Sequence, residues 1–85
     1  MTNTITLYHG TTNEAAEQIL KCGYIQSPAY FTPKEENAHD YGGYVFEIDI
    51  DIEKINVDTE SYNSDDVQEA LEDGASFFIN ERVMI

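Results

Sequence analysis

The stretch YVFEIDIDI, residues 44–52, decides the fold, because its apolar side chains recur at every second position. Tyr44, Phe46, Ile48, Ile50 and Ile52 alternate with Val45, Glu47, Asp49 and Asp51. Successive side chains of a strand point to opposite faces, so this pattern predicts a strand with one face in a core and the other largely acidic. Such a strand needs partners, and short apolar runs supply them at residues 5–8, 30–31, 75–79 and 82–85. Residues 55–58 read either as a bend or as a second short strand.

Helix signals separate these runs. Thr11 is followed three residues later by Glu14 in the form of a capping box, and Ala15, Ala16, Ile19 and Leu20 then recur at helical spacing up to Gly23. Thr32, Pro33 and Glu35 repeat the start signal, which predicts a second helix ending at Gly42 and Gly43 with Ala38 and Tyr41 on one face. Ser64 is placed to cap a third, which carries Val67, Ala70 and Leu71 and ends at Gly74. Residues 26–29, with Pro28, read as a loop. The expected fold is α+β, a small, mainly antiparallel sheet with about three helices, in a single domain over residues 1–85, since this length supports one core.

Charge narrows the function classes. Acidic residues number 17 against 4 basic ones, a formal net charge of -13, and between residues 40 and 73 Lys54 is the only cation. Such a chain repels phosphate backbones and anionic membrane surfaces, which disfavours direct nucleic-acid or membrane binding. The acids either form a solvated surface or mimic a polyanion, in which case the complementary partner is a protein with a basic surface. Cys22 is the only cysteine, so no intrachain disulfide can form, and no Cys/His spacing has the form of a zinc site. With no long apolar run and no leader-like start, the expectation is a soluble cytoplasmic protein, of a cell or of something replicating in one.

Three places carry candidate chemistry. The sequence YHGT, residues 8–11, puts the His9 ring, the Gly10 backbone and the Thr11 hydroxyl together where the first strand is expected to stop. A backbone turn there can hydrogen-bond a flat amide while the imidazole reaches a sugar hydroxyl; a lone histidine after a strand also reads as structural. Tyr30 and Tyr41 have ten residues between them, so they either pack as core aromatics or face each other across a pocket. Glu81 lies between two apolar runs, either at a hairpin tip or as a functional carboxylate, and Asn80-Glu81 lacks the glycine that a tight hairpin prefers.

Taken in order, LYHGT, YFTPKEENAHDY and FFINERVMI resemble the three successive motifs of the His-Tyr-Glu class of ADP-ribosyltransferases, the group of diphtheria toxin and the poly(ADP-ribose) polymerases. His9, Gly10 and Thr11 match the first motif, Tyr30 and Tyr41 the tyrosine pair, and Glu81 the late glutamate. The resemblance implies that NAD is the cofactor-like substrate. It implies that the tyrosine rings flank the nicotinamide, that His9 holds a ribose, and that the backbone beside it grips the carboxamide. Glu81 would then be the catalytic carboxylate, worth most where positive charge develops on the ribose as the bond to nicotinamide breaks. The implied activity is transfer of ADP-ribose to an acceptor the sequence does not name.

The chain departs from that pattern in three ways. It is short between Tyr41 and Glu81; Ile79 stands where arginine-modifying members carry Glu or Gln; and only Lys21, Lys34, Lys54 and Arg82 could meet the phosphates. The competing expectation is a catalytically inactive acidic inhibitor, of the kind a phage would use against a host defence complex. It would bind a basic site on a partner protein or hold an ADP-ribose-like nucleotide without cleaving it.

Overall fold

The computed structural model describes residues 3–26 and 29–85. The chain runs through β1 (Thr4–Thr11), α1 (Asn13–Cys22), β2 (Tyr24–Ile25), β3 (Ala29–Phe31) and α2 (Glu35–Ala38), which a 3-10 turn (His39–Tyr41) continues. There follow β4 (Tyr44–Asp51), a second 3-10 turn (Ile52–Lys54), β5 (Asn56–Val57), α3 (Val67–Asp73), β6 (Phe77–Ile79) and β7 (Val83–Met84). This is an α+β fold with three α-helices and antiparallel strands. The loop expected over residues 26–29 falls in part on residues 27 and 28, outside the described residues.

The alternating stretch forms β4, paired with β1 in unbroken register from Thr4 opposite Asp51 to Thr11 opposite Tyr44. Phe46 and Ile50 are buried, Ile48 is half-buried, and Glu47 and Asp49 are exposed, as the period of two requires. Ile52 leaves the strand for a 3-10 turn, where the Asp51 carboxylate accepts the Glu53 N–H at 3.0 Å. Tyr44, expected on the core face, is exposed instead.

The strands do not form the single sheet expected. They divide into β1–β4, β2–β7 and β3–β6–β5, every pairing antiparallel. One bridge ties the first group to the third: the Tyr8 N–H donates to the Thr32 carbonyl at 2.8 Å and the Thr32 N–H to the Tyr8 carbonyl at 2.9 Å. The two closing strands are not a hairpin either. β6 pairs with β3 and β5, whereas β7 crosses to β2, so Asn80 and Glu81 lie on the crossing segment rather than at a hairpin tip. The hydrophobic cluster draws on all seven strands and on α3, around Leu7, Phe77 and Ile79, which are at most 1% exposed. Each such side chain contributes about 1.5–3 kcal/mol by leaving water.

The caps shift from the expected positions, for reasons that lie in the sheet. β1 continues through His9, Gly10 and Thr11 instead of stopping at His9-Gly10, which commits Thr11 to Tyr44 and leaves Thr12 to cap α1 by accepting the Ala15 N–H at 3.2 Å. Thr32 is held by Tyr8, so α2 starts only after Lys34, although the Thr32 hydroxyl still accepts the Lys34 N–H at 3.4 Å. Asp66 rather than Ser64 caps α3, accepting the Glu69 N–H at 3.2 Å, and Ser64 accepts the Asp66 N–H just before it. Gly23 and Gly74 close α1 and α3 in the left-handed conformation, as expected. Among the described residues no helix is long and apolar enough to cross a membrane.

Candidate functional site

The site is built on the far end of β1. Side chains alternate along a strand, and so do its backbone hydrogen-bonding groups, which point to one edge and then the other. Tyr8 spends its N–H and C=O on Thr32, so Gly10, two residues on, turns its own N–H and C=O to that same edge. β3 has ended by then, because Thr32 is followed by a proline and a bend. The edge of β1 therefore offers an amide donor and a carbonyl acceptor side by side at Gly10.

Glycine is needed there on steric grounds. A Cβ at residue 10 would stand 1.7 Å from the Ala38 carbonyl oxygen, and one at Gly42 would stand 2.2 Å from the Thr11 carbonyl oxygen. These two glycines let the unit formed by α2 and its 3-10 turn lie directly on β1, which carries Tyr41 to the end of that strand. On its other side α2 is tied to the end of α3, where the Asn37 amide donates to the Gly74 carbonyl at 3.2 Å.

His9 is fixed by its neighbours. Its Nδ1 lies 2.7 Å from the Tyr30 carbonyl oxygen, and a carbonyl only accepts, so Nδ1 carries the proton and Nε2 of the neutral ring is left as an acceptor. The ring leans on Phe31 with centroids 5.3 Å apart. The same hydrogen bond ties β1 to β3 at Tyr30, a residue that is 49% exposed and whose ring centroid lies 6.2 Å from that of Phe78. Tyr41 is 61% exposed, so neither tyrosine is a core aromatic.

Around these residues lies a cavity of about 810 Å³ lined by His9, Gly10, Thr11, Tyr30 and Tyr41, within the usual range for small-molecule sites. Five of the six residues singled out in the sequence thus border one hollow, although they come from three separate segments. Glu81, the sixth, does not border it: its carboxylate meets Lys54 Nζ at 2.9 Å, and both side chains are more than half exposed. That hydrogen bond is the main reason the Lys54 ammonium is held above its ordinary pKa.

The sequence reading missed other lining residues. Ala15, Gln18, Ile19 and Cys22 form one wall from α1, at the spacing of a single helix face, and Gln18 in their midst was the available signal. Of the apolar positions expected on one face of α1, Ala16 is buried as expected, whereas Leu20 is 56% exposed. Tyr8, within the YHGT stretch, lines the cavity too, as do Tyr24, Asp58 and Ser76, which nothing local in the sequence marks. Among the described lining residues there is no lysine or arginine, and Asp58 is the only carboxylate. Compared with protein-family models, with curated proteins and with solved structures, the chain matches none of them.

Proposed function

We propose that this is an ADP-ribosyltransferase-like protein that binds NAD in the 810 Å³ cavity. The nicotinamide end lies between the edge of β1 and the Tyr30/Tyr41 pair. The observation that carries the reading is the convergence of His9, Gly10, Thr11, Tyr30 and Tyr41 on that cavity. The Gly10 N–H and C=O match a primary carboxamide, which needs one acceptor and one donor side by side. His9 Nε2, held as an acceptor, suits a ribose hydroxyl, and an exposed phenol ring offers a flat apolar face to the pyridine ring. Binding is the part best supported. Transfer of ADP-ribose to an acceptor would further require Glu81 to leave Lys54 and reach the scissile bond.

Calorimetry with NAD and ADP-ribose tests the binding step, with His9→Ala and Tyr41→Ala as companions. Saturable binding by the parent chain that both substitutions weaken is the expected result; its absence with both ligands removes the proposal. Nicotinamide release from labelled NAD by the parent chain beside Glu81→Ala tests the transfer step. Equal release by the two proteins would take Glu81 out of the mechanism.

A second reading has its own observation. Glu47 and Asp49 are exposed along β4, and Asp65 and Asp66 are exposed ahead of α3, in a chain of net charge -13. An inactive acidic inhibitor using this surface would bind a basic protein with an affinity that falls steeply with salt and with neutralisation of these residues, and that His9→Ala leaves unchanged.

A further inference from the structure

β4 has a partner on one edge only. β1 takes that edge along its whole length, and among the described residues no backbone hydrogen bond reaches the other. The register decides which groups the free edge offers. Tyr8 spends its N–H and C=O on Thr32, away from β4, so Tyr8 and the opposite Glu47 are a non-hydrogen-bonded pair. Alternation then turns the N–H and C=O groups of Phe46, Ile48 and Ile50 to β1, and those of Val45, Glu47, Asp49 and Asp51 to the free edge. The Ile52 N–H, which donates to the Asn3 carbonyl at 3.0 Å, keeps this alternation. The side chains of Glu47, Asp49 and Asp51 share one face of the strand. There the Thr6 hydroxyl donates to Asp49 Oδ1 at 2.6 Å, and none of the three carboxylates forms an ion pair among the described residues. On the opposite face Ile48 is half-buried and Tyr44 is exposed, which leaves apolar surface uncovered.

We infer that the free edge of β4 takes an extended segment of a partner protein as an added antiparallel strand, and that this segment alternates basic with apolar residues. The inference rests on the second reading above, in which the acidic surface meets a basic protein. It goes beyond that reading by naming the edge, the register and the sequence pattern. Main-chain hydrogen bonds give such an added strand its affinity, and side chains at alternate positions give it specificity. Lysines or arginines opposite Glu47, Asp49 and Asp51 make cross-strand charge pairs, while the residues between them fall on the face of Phe46, Ile48 and Ile50. Antiparallel pairing lets each outward residue exchange both of its backbone groups with one residue opposite, as every strand pair within the chain does. Charge decides against a second copy of the chain. Two β4 edges pairing through these groups would set acid opposite acid, and charged side chains on an edge strand guard it against such pairing.

The probe is the end-blocked peptide Lys-Val-Lys-Val-Lys-Val-Thr, whose lysines fall opposite Asp51, Asp49 and Glu47 and whose threonine falls opposite Val45. Calorimetry on the whole chain at low salt is expected to show saturable binding that weakens as salt is added. Glu47→Gln combined with Asp49→Asn, which keeps the acceptor for Thr6, should weaken it about two- to thirtyfold; far-ultraviolet circular dichroism verifies that the variant is folded. Methylating the lysine backbone nitrogens, which face β4, should weaken binding at least about fivefold, whereas methylating the valine nitrogens, which face away, should not. A peptide of the same composition with its lysines and valines in separate blocks should also bind less tightly. Salt-sensitive binding that ignores both methylation and residue order, or binding of polylysine alone, would overturn strand addition and leave the acidic-surface reading standing. Dimerisation of the chain without peptide, seen by sedimentation, would give the edge to a second copy and likewise overturn the inference. Failure of the peptides and of polylysine alike would overturn both.

Discussion

Replacing Gly10 by alanine keeps the backbone N–H and C=O and tests the close approach of α2 to β1. The added Cβ would stand 1.7 Å from the Ala38 carbonyl oxygen, against 3.4 Å for ordinary contact, so β1 and α2 must part by about 1.7 Å. The obstacle is a backbone carbonyl of a fully buried residue and cannot rotate aside. Overpacking of this kind costs about 1–3 kcal/mol, and a rigid obstacle places the cost at the upper end. Alanine recovers about 0.5–1 kcal/mol of that by restricting the unfolded chain, for a net loss of about 2 kcal/mol. Small domains of this size are stable by about 4–13 kcal/mol, so the variant folds but is measurably weaker. In urea, with a slope of about 1–2 kcal/mol per molar, the midpoint falls by about 1–2 M. Gly43→Ala is the control, because its new Cβ meets nothing nearer than the Asn13 side chain at 3.8 Å. Equal midpoints for the two variants would refute the close approach of α2 to β1, and with it the placement of Tyr41 beside the cavity.

Three further outcomes follow from the core, the caps and a tyrosine hydrogen bond. Phe77→Ala removes a ring that is 0% exposed at the centre of the cluster and should cost about 3–5 kcal/mol, read as a large drop in melting temperature; a drop like that of an exposed site would mean the core is elsewhere. Thr12→Ala should lose about 1 kcal/mol through the missing cap on Ala15, whereas Thr11→Ala should not lose a cap; the opposite ranking by chemical denaturation would restore the cap expected from the sequence. The Tyr62 hydroxyl donates to the Asp73 carboxylate, and this bond, followed by burial and the nearby acids, pushes its pKa up from 10.0 to about 12. Since the folded value is the higher one, the stabilisation from this pair is whole below about pH 10 and is lost as the pH rises through about 12. Titration of Tyr62 followed by ultraviolet absorbance should therefore be late, and Asp73→Asn should bring it back towards its ordinary value.

The sequence by itself determined what depends on local pattern. The period of two made residues 44–51 a strand with an acidic outer side, and Gly23 and Gly74 ended helices because a left-handed residue there needs no Cβ. It also singled out five residues that border one cavity, since motif spacing survives whatever encloses it. Only the tertiary structure decided the rest. Thr11 and Thr32 have the chemistry of caps, yet pairing with Tyr44 and Tyr8 claimed both backbones first. β6 and β7 look like partners in the sequence, but each found a different strand, and the crossing between them left Glu81 beside Lys54 rather than on the cavity wall. Asp58 carries no local signature as a cavity residue, because strand pairing between residues far apart in the chain brings it to the wall.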